Sequence, residues 1–305
     1  MDPQTPDSSP DPLSPEAVAL KAEDMALKKA HRDTAGLLAL AVLAGAYIAL
    51  GALFSTVAMS GGDALPYGVT RLLGGLTFSL GLVLVMVGGA QLFTGDALMV
   101  MAWASHRLRV SEMVRVWCLV WVGNFIGAAG TALLVFLSGQ YGFGHAEVGR
   151  TALYIAHSKT ALPPVNAFFL GILCNVLVCL AVWMTLGARS VTDKVVAMAL
   201  PVTAFAAAGF EHSIANMYFI PLGALIEWGA PESFWAALGT AGPDPDSTVT
   251  LANFALRLAL VTLGNWVGGA LFVGGMVWFA FRRPPAPQVR PAGWASAEME
   301  GTRIK

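Results

Sequence analysis

The feature that most constrains this chain is the length of its uncharged segments. Six segments contain no Asp, Glu, Lys or Arg, and most exceed the roughly 20 residues that a helix needs to cross a hydrocarbon layer. The fifth is short, but it continues through Glu211 and His212 into a further apolar stretch. The pattern predicts an all-α polytopic membrane protein with six transmembrane helices. The segments are 34–62, 72–95, 116–144, 160–188, 195–210 and 258–281.

The overall composition supports a membrane protein. Hydrophobic residues make up 56% of the 305 residues, charged residues make up 12%, and the mean hydropathy is +0.65. About a quarter of the residues of a soluble domain are charged. A net charge of −1 without a basic cluster gives no sign of nucleic-acid binding. Cys118, Cys174 and Cys179 fall in apolar segments, so we expect core residues rather than disulfides or metal ligands, and no cofactor.

The distribution of Lys and Arg predicts the orientation. Six crossings place both termini on the same side as the loops near 105–115 and 189–194, and fourteen basic residues lie on that side. Cytoplasmic loops are the ones enriched in Lys and Arg. We therefore expect both termini in the cytoplasm. The four basic residues of the opposite side are Arg71, Arg150, Lys159 and Arg257.

Tails flank the membrane region at 1–33 and 282–305. Residues 1–13 are rich in Pro and Asp and are predicted to be disordered. Ser14 as N-cap and Pro15 at the first helical position then predict an amphipathic helix over about 14–32. Such a helix either lies on the cytoplasmic membrane surface or forms part of a solvated tail.

The sequence contains an internal repeat. "VGNFIGAAG" (122–130) and "LGNWVGGAL" (263–271) share the order Gly, Asn, aromatic, aliphatic, Gly, small. Each lies in the third crossing of its half, so the repeats cover about 34–140 and 160–281. Three crossings per repeat turn the second repeat upside down, an arrangement that places transport sites near the membrane midplane. The alternative is chance similarity between glycine-rich packing helices.

The second crossing of each repeat is predicted to be broken. "VGGAQLFTGDAL" (87–98) interrupts the first repeat, and Thr94 or Asp96, on either side of Gly95, can cap the helix that restarts. In the second repeat Gly209 opens the interruption. Irregular backbone at membrane depth is tolerated only where protein or a watery cavity surrounds it. Two breaks at corresponding positions predict one shared site beside a pore.

Four polar residues stand out in or beside the predicted crossings, and an ionisable group inside a membrane segment indicates function by default. Glu211 either anchors the restarting helix through backbone N–H groups or contacts a permeant. His212 either packs in the core or lines the pore, where desolvation favours the neutral imidazole. Lys159 either draws anions into a vestibule or snorkels to the interface. Asn175, buried in mid-span, must find a hydrogen-bonding partner.

Four motifs carry a family resemblance: "LFTGD" (92–96), "GILCNVLVCLAVWM" (171–184), "GFEHSIANM" (209–217) and "GNWVGG" (264–269). With these motifs the chain resembles the formate/nitrite transporter family of bacterial anion channels, and the match runs in order from about residue 34 to 281. The resemblance implies a homopentamer in the bacterial inner membrane, with aquaporin-like protomers that each hold a pore.

The same resemblance implies roles for individual residues. His212 matches the family's central histidine, and Thr94 matches the threonine that hydrogen-bonds it. Lys159 matches the vestibule lysine, Asn175 its polar companion, and Glu211 the glutamate beside the histidine. The apolar constrictions fall at Phe78, Leu82 and Phe205.

The expected mechanism rests on desolvation. A bare anion in an apolar constriction loses hydration worth many kcal/mol, whereas its conjugate acid carries no net charge. We expect Lys159 to gather the anion and Phe78 and Phe205 to dehydrate it. Protonation, from His212 or from water relayed past it, then lets the neutral acid pass.

Formate is the expected permeant, with nitrite a close second. "FEHSIANMYFIPLG" (210–223) is similar to formate channels, whereas "QLFTGD" (91–96) and "KTALPP" (159–164) are closer to nitrite members. Carriers of lactate, acetate or hydrosulfide share the scaffold. Two other classes of protein stay open as alternatives. The first is a neutral-solute pore of the aquaglyceroporin type, but the chain contains no Asn-Pro-Ala sequence. The second is an intramembrane enzyme, but the chain contains no G-x-S-x-G nucleophile motif.

Overall fold

The computed structural model describes residues 11–62 and 65–284; residues 1–10, 63–64 and 285–305 lie outside it, and with them most of the segment predicted to be disordered (1–13) and most of the C-terminal tail. Within the described residues the secondary structure is helical, with connecting turns and loops and no β-strand. Short 3₁₀ turns occur at Ala97–Met99 and Gln140–Gly142. The α-helices are α1 (Pro15–Ala30), α2 (Thr34–Met59), α3 (Tyr67–Gly88), α4 (Phe93–Asp96), α5 (Val100–Ala104), α6 (Val110–Leu137), α7 (Glu147–Ala161), α8 (Pro164–Gly187), α9 (Val191–Ala207), α10 (Ser213–Gly229), α11 (Glu232–Ala237), α12 (Leu251–Trp266) and α13 (Met276–Phe281).

The predicted fold class is confirmed. Within residues 11–62 and 65–284, five stretches are long and apolar enough to cross a membrane: α2, α3, α6, α8 and the continuous helix Leu251–Phe281. The remaining crossing is divided between α9 and α10, which have 17 residues each. The second crossing is also interrupted, because α3 ends at Gly88 and the chain restarts as α4.

The helix pairs recur in the same order in the two repeats. α2 packs against α3 and α6, just as α8 packs against α9 and α12, and α3 meets α9 between the repeats. After each break the chain passes to the other repeat. α10 packs on α6, and the 3₁₀ turn after α4 packs on the π-helical segment Val267–Gly275, which joins α12 to α13. The two repeats are therefore interlocked through their broken crossings.

Both breaks begin with the same backbone turn. Gly89 and Gly209 have φ values of 74° and 74°, the left-handed region that glycine enters without steric cost. In each turn the next amide donates to the carbonyl five residues before it. These bonds run from Ala90 N to Val85 O at 3.0 Å and from Phe210 N to Phe205 O at 3.0 Å.

The glycines of the repeated motif bring the third and first helices of each repeat into contact. A Cβ on Gly127 of α6 would overlap the carbonyl oxygen of Val42 in α2. A Cβ on Gly268, at the same place in the second motif, would overlap the carbonyl oxygen of Ile172 in α8. Small residues permit such close approach between membrane helices. The repeated motif therefore reflects the close packing of the first and third helices in each repeat, as well as their common topology.

The amphipathic helix packs on the protein rather than on the lipid surface that its pattern suggested. Val18, Ala19 and Ala22 are buried against Met101 of α5 and Leu186 of α8. Ser14 caps α1 as predicted by accepting a hydrogen bond from Ala17 N at 3.3 Å. α1 thus covers one end of the helical bundle.

A buried carboxylate fixes α1 in this position. Glu23 accepts hydrogen bonds from Ser105 Oγ at 2.6 Å, Arg107 Nη1 at 2.9 Å and Arg282 Nε at 2.9 Å. Burial alone would raise the pKa of Glu23, but these hydrogen bonds outweigh burial and hold the pKa below its usual value. The cluster joins α1 to the chain after α5 and after α13.

Gly127→Ala should destabilise the protein, because its methyl group must push α6 away from α2. Such overpacking costs roughly 1–3 kcal/mol of unfolding free energy, which should lower the melting temperature of the detergent-solubilised protein. Gly130→Ala is the matched control, since no atom lies within 4 Å of a Cβ at that position of the same helix. Equal melting temperatures for the two variants would contradict the close α2–α6 contact.

Candidate functional site

Asn124 of α6 holds the first break. Its Oδ1 accepts a hydrogen bond from the amide of Phe93 at 2.9 Å. Its Nδ2 donates to the carbonyl of Ala41 in α2 at 2.7 Å and to that of Gln91 in the break at 2.9 Å. Asn124 is fully buried, so these bonds replace those that the interrupted helix lacks.

Asn265 of α12 holds the second break by the same three contacts. Its Oδ1 accepts from Ser213 N at 2.8 Å, and its Nδ2 donates to the carbonyls of Gly171 at 2.7 Å and Glu211 at 2.8 Å. Asn124 and Asn265 occupy the same place in the two repeated motifs. We call each set of three bonds a clasp. The second clasp grips the backbone on both sides of His212.

The second clasp places the imidazole of His212 in a defined orientation. Nδ1 accepts a hydrogen bond from the amide of Ala215 at 3.1 Å, which makes His212 the N-cap of α10. Nε2 lies 3.1 Å from Oγ1 of Thr94. Because Nδ1 is an acceptor, a neutral ring carries its proton on Nε2 and donates it to Thr94. A second proton would have to sit on Nδ1, facing the N–H of Ala215, so this geometry favours the neutral imidazole.

Glu211 is neutralised by Lys159, a pairing that the sequence did not indicate. Oε1 of Glu211 accepts from Nζ of Lys159 at 2.9 Å, and Oε2 accepts from Nδ2 of Asn216 at 2.7 Å. The two charged side chains are only 14% and 5% exposed. One interpretation expected Glu211 to hold α10 through backbone N–H groups, but the amides of Ser213 and Ala215 are bonded to Asn265 and His212 instead.

A cavity of about 280 Å³, the vestibule, brings several of these side chains together. It lies at the end of the bundle opposite α1, because Met59, in the last turn of α2, forms part of its wall. Its floor is aromatic. The rings of Phe78 and Phe205 meet edge to face with centroids 5.7 Å apart, and Phe205 stacks on the imidazole of His212 at 5.9 Å. The polar wall contains Arg71, Lys159, Glu211 and His212.

Five predicted site residues lie outside the vestibule wall of the described chain, namely Leu82, Thr94, Gly95, Asp96 and Asn175. Leu82, one turn beyond Phe78 in α3, is buried with 2% of its surface exposed. Asn175 donates to the carbonyls of Thr94 at 3.1 Å and Asn265 at 2.6 Å. The structure therefore places Asn175 against the backbone of Thr94 and of Asn265.

The predicted cap of the first restart was wrong. Leu92 is the N-cap of α4, no side chain caps it locally, and Asn124 satisfies the first amide instead. The hydroxyl of Thr94 faces His212, and the buried carboxylate of Asp96 pairs with Lys29 of α1 at 2.5 Å. A cavity of about 20 Å³ lies between Gly95 and α1.

Asn124, Asn265 and Arg71 are the residues that sequence reasoning missed. The two asparagines were visible, because the repeated motif contains each of them next to a packing glycine. Arg71 carried no signal beyond its position before an apolar segment. One further expectation was wrong, since Cys118 is exposed on α6. The described ranges contain no group of three or more metal-ligating side chains.

Comparison with known proteins gives consistent matches. A model of the formate/nitrite transporter family matches residues 16–279. The formate channel FocA of Escherichia coli K12 is 42% identical over 274 residues, which cover 90% of this chain and 96% of that protein. The nitrite transporter NirC of the same organism is 33% identical over 250 residues, covering 80% and 83%. A solved pentameric formate channel with formate bound superposes with a TM-score of 0.76 at 41% identity, covering 82% and 98%.

Asn265→Ala should leave one buried amide and two buried carbonyls without this partner. Each unsatisfied group costs about 1–3 kcal/mol, so we expect a large fall in melting temperature. Asn265→Asp keeps the acceptor but sets a carboxylate against the carbonyls of Gly171 and Glu211, so it should be at least as damaging. Asn253→Ala is the control on the same helix, since its side chain makes a single donor contact, to Thr248 O at 2.9 Å. An Asn265→Asp protein that melts like the wild type would contradict the clasp.

Proposed function

Because the chain belongs to the formate/nitrite transporter family, we propose that it is a membrane channel that passes formate as the transiently protonated, neutral acid. The observation that carries the proposal is a cation-bearing vestibule that ends on the aromatic floor of Phe78 and Phe205. The protein is a channel rather than an enzyme, as the family model and its named relatives indicate. The higher identity to a formate channel than to a nitrite transporter, 42% against 33%, favours formate.

The assembly and orientation follow from the same comparisons and from charge. Similarity to a pentameric formate channel supports a homopentamer with one pore in each protomer. The excess of Lys and Arg on the side of α1 supports cytoplasmic termini in the bacterial inner membrane. The vestibule then faces the outside of the cell, and α1 covers the cytoplasmic end.

Desolvation explains why charge must be lost before the floor is crossed. Formate and nitrite are small bent anions with charge shared by two oxygens, and both are hydrated strongly. The rings of Phe78 and Phe205 offer no hydrogen bond, so an anion between them would lose hydration worth many kcal/mol. The protonated acid keeps one donor and needs one acceptor. Passage of the neutral acid is therefore the lower-energy route.

The proton comes from water in the vestibule rather than from His212. The imidazole of His212 caps α10 through Nδ1, so its one proton sits on Nε2 and cannot be given up without forming an imidazolate. What His212 and Thr94 provide is a pair of hydrogen-bonding groups at the floor, where His212 meets Phe205. A neutral acid that leaves the vestibule replaces its hydrogen bonds to water with hydrogen bonds to this pair.

Nitrite is the second candidate permeant. It has the bent two-oxygen shape of formate, and the motif "QLFTGD" is closer to nitrite members.

A separate polar cluster, formed by His157, Glu227 and Ser247, does not have the geometry of a nucleophile relay. Glu227 and Ser247 both approach Nε2 of His157, whereas such a relay needs the carboxylate on the opposite ring nitrogen.

Proteoliposome flux across a pH series tests the permeant and the proton source. Formate and nitrite flux should rise as pH falls, in step with the protonated fraction, and acetate and lactate should pass more slowly because they are larger. His212→Asn keeps an oxygen acceptor for the cap of α10 but loses Nε2. We expect it to lower formate flux several-fold without changing the pH slope.

His106→Asn is the matched control for that series, because His106 is exposed at a φ of 56° that asparagine tolerates. Loss of the pH slope in His212→Asn alone would show that the imidazole supplies the proton. Flux of an uncharged solute that exceeds formate flux at every pH would favour the neutral-solute pore instead.

Phe205→Ala should admit water to the floor and lower the barrier for the anion itself. We expect a formate-dependent current in planar bilayers that the wild-type protein lacks, because hydration reduces the desolvation penalty. Phe169→Ala removes an aromatic ring of α8 that is 57% exposed on the outer surface and should leave the protein electrically silent. Comparable formate currents in the wild type and Phe205→Ala would show that the aromatic floor does not exclude anions.

A further inference from the structure

The charges in the vestibule do not balance, and the surplus lies at Arg71. Two cations and one carboxylate line the cavity, namely Arg71, Lys159 and Glu211. Lys159 is bound to Glu211 at 2.9 Å, so its field at a distance is largely cancelled. Arg71 forms no ion pair with a carboxylate of the described ranges; its side chain contacts two backbone carbonyls and a thioether there.

Backbone carbonyls fix the guanidinium of Arg71 and leave one edge of it free. Nε donates to Ala207 O at 3.2 Å and Nη2 donates to Ala206 O at 2.7 Å. These carbonyls belong to the last turn of α9, so Arg71 closes the end of that half-helix just before Gly209. A guanidinium has five N–H groups, so three remain. Nη1 lies 4.0 Å from the sulfur of Met59, a weak acceptor.

We propose that Arg71 is the residue that captures the anion in the vestibule, through the free edge formed by Nη1 and Nη2. This inference rests on the proposed function and refines it, because the sequence pointed to Lys159 for this task. The two parallel donors of a guanidinium match the two oxygens of a carboxylate or of nitrite. The contact therefore favours bent two-oxygen anions over a single-centre anion such as hydrosulfide.

The position of Arg71 suits a capture site rather than a trap. The side chain lies in the first turns of α3, in the same cavity wall as Lys159 and His212. It is partly buried, which strengthens its hydrogen bonds but leaves the anion in contact with vestibule water that can protonate it. Once neutral, the acid loses the ionic part of its attraction to Arg71 and is released toward the aromatic floor.

The test measures initial formate flux against concentration in proteoliposomes containing the wild type, Arg71→Gln and Arg71→Lys. Arg71→Gln should raise the half-saturating concentration of formate about tenfold, the loss expected for a charge-assisted contact. Maximal flux should stay near the wild-type value, because the floor is unchanged. Arg71→Lys keeps the charge but loses the two parallel N–H donors of the guanidinium. It should therefore raise the half-saturating concentrations of formate and nitrite and leave that of hydrosulfide unchanged.

Arg150→Gln is the control, since it removes a positive charge from the same end of the bundle, where Arg150 is paired with Glu147. No formate flux in the wild type would refute the proposed function itself. With wild-type flux present, an unchanged half-saturating concentration in Arg71→Gln would overturn only the role of Arg71. Equal losses for formate and hydrosulfide in Arg71→Lys, with a lowered melting temperature, would also overturn it, because they indicate that Arg71 serves only as the cap of α9.

Discussion

Unsatisfied backbone groups in the middle of an apolar bundle are the constraint from which the rest of this structure follows. Interrupting a helix there frees amides and carbonyls that no lipid can bond, at a cost of several kcal/mol each. The chain solves this twice with one device. An asparagine of the third helix clasps the break, and a glycine three residues later on the same face brings that helix against the first. The glycine lets the third helix approach closely enough for the asparagine side chain to reach the broken backbone. Asn124 therefore acts together with Gly127, and Asn265 with Gly268.

Local patterns in the sequence predicted what depends on local physics. Uncharged segments predicted the crossings, because length and polarity alone decide whether a helix can span a membrane. Glycines predicted both breaks, because a left-handed turn needs them. Capping rules failed at Thr94 and Asp96, because they consider only side chains near the helix start, and here the acceptor comes from α6. The Lys159–Glu211 pair joins residues 52 positions apart and the Asn175–Asn265 contact 90. Such contacts depend on how the inverted repeats interlock, which no local pattern contains.

The internal repeat is longer than the motif suggested. α1 and α7 each precede the first crossing of a repeat, have 16 and 15 residues, and carry a lysine in the last turn. Each packs beside the restarting half of a broken crossing, α1 against α5 and α7 against α10. Each lysine meets a carboxylate next to a break, Lys29 with Asp96 and Lys159 with Glu211. The amphipathic helices are therefore part of the repeated unit, and an ion pair ties each of them to the irregular backbone.

A symmetric scaffold nevertheless produces an asymmetric pore, because the side chains at equivalent places differ. The second break carries Glu211 and His212 where the first carries Gln91 and Leu92, and the place of Thr94 is taken by Ile214. The polar pair of His212 and Thr94 thus has an apolar counterpart in the buried Leu92 and Ile214. The two mouths differ in the same way. The cavity beside α7, the vestibule, has a volume of about 280 Å³, whereas the cavity between α1 and the first break has a volume of about 20 Å³. Symmetry supplies the paired breaks, and the side-chain differences within it make the two ends of the bundle unlike.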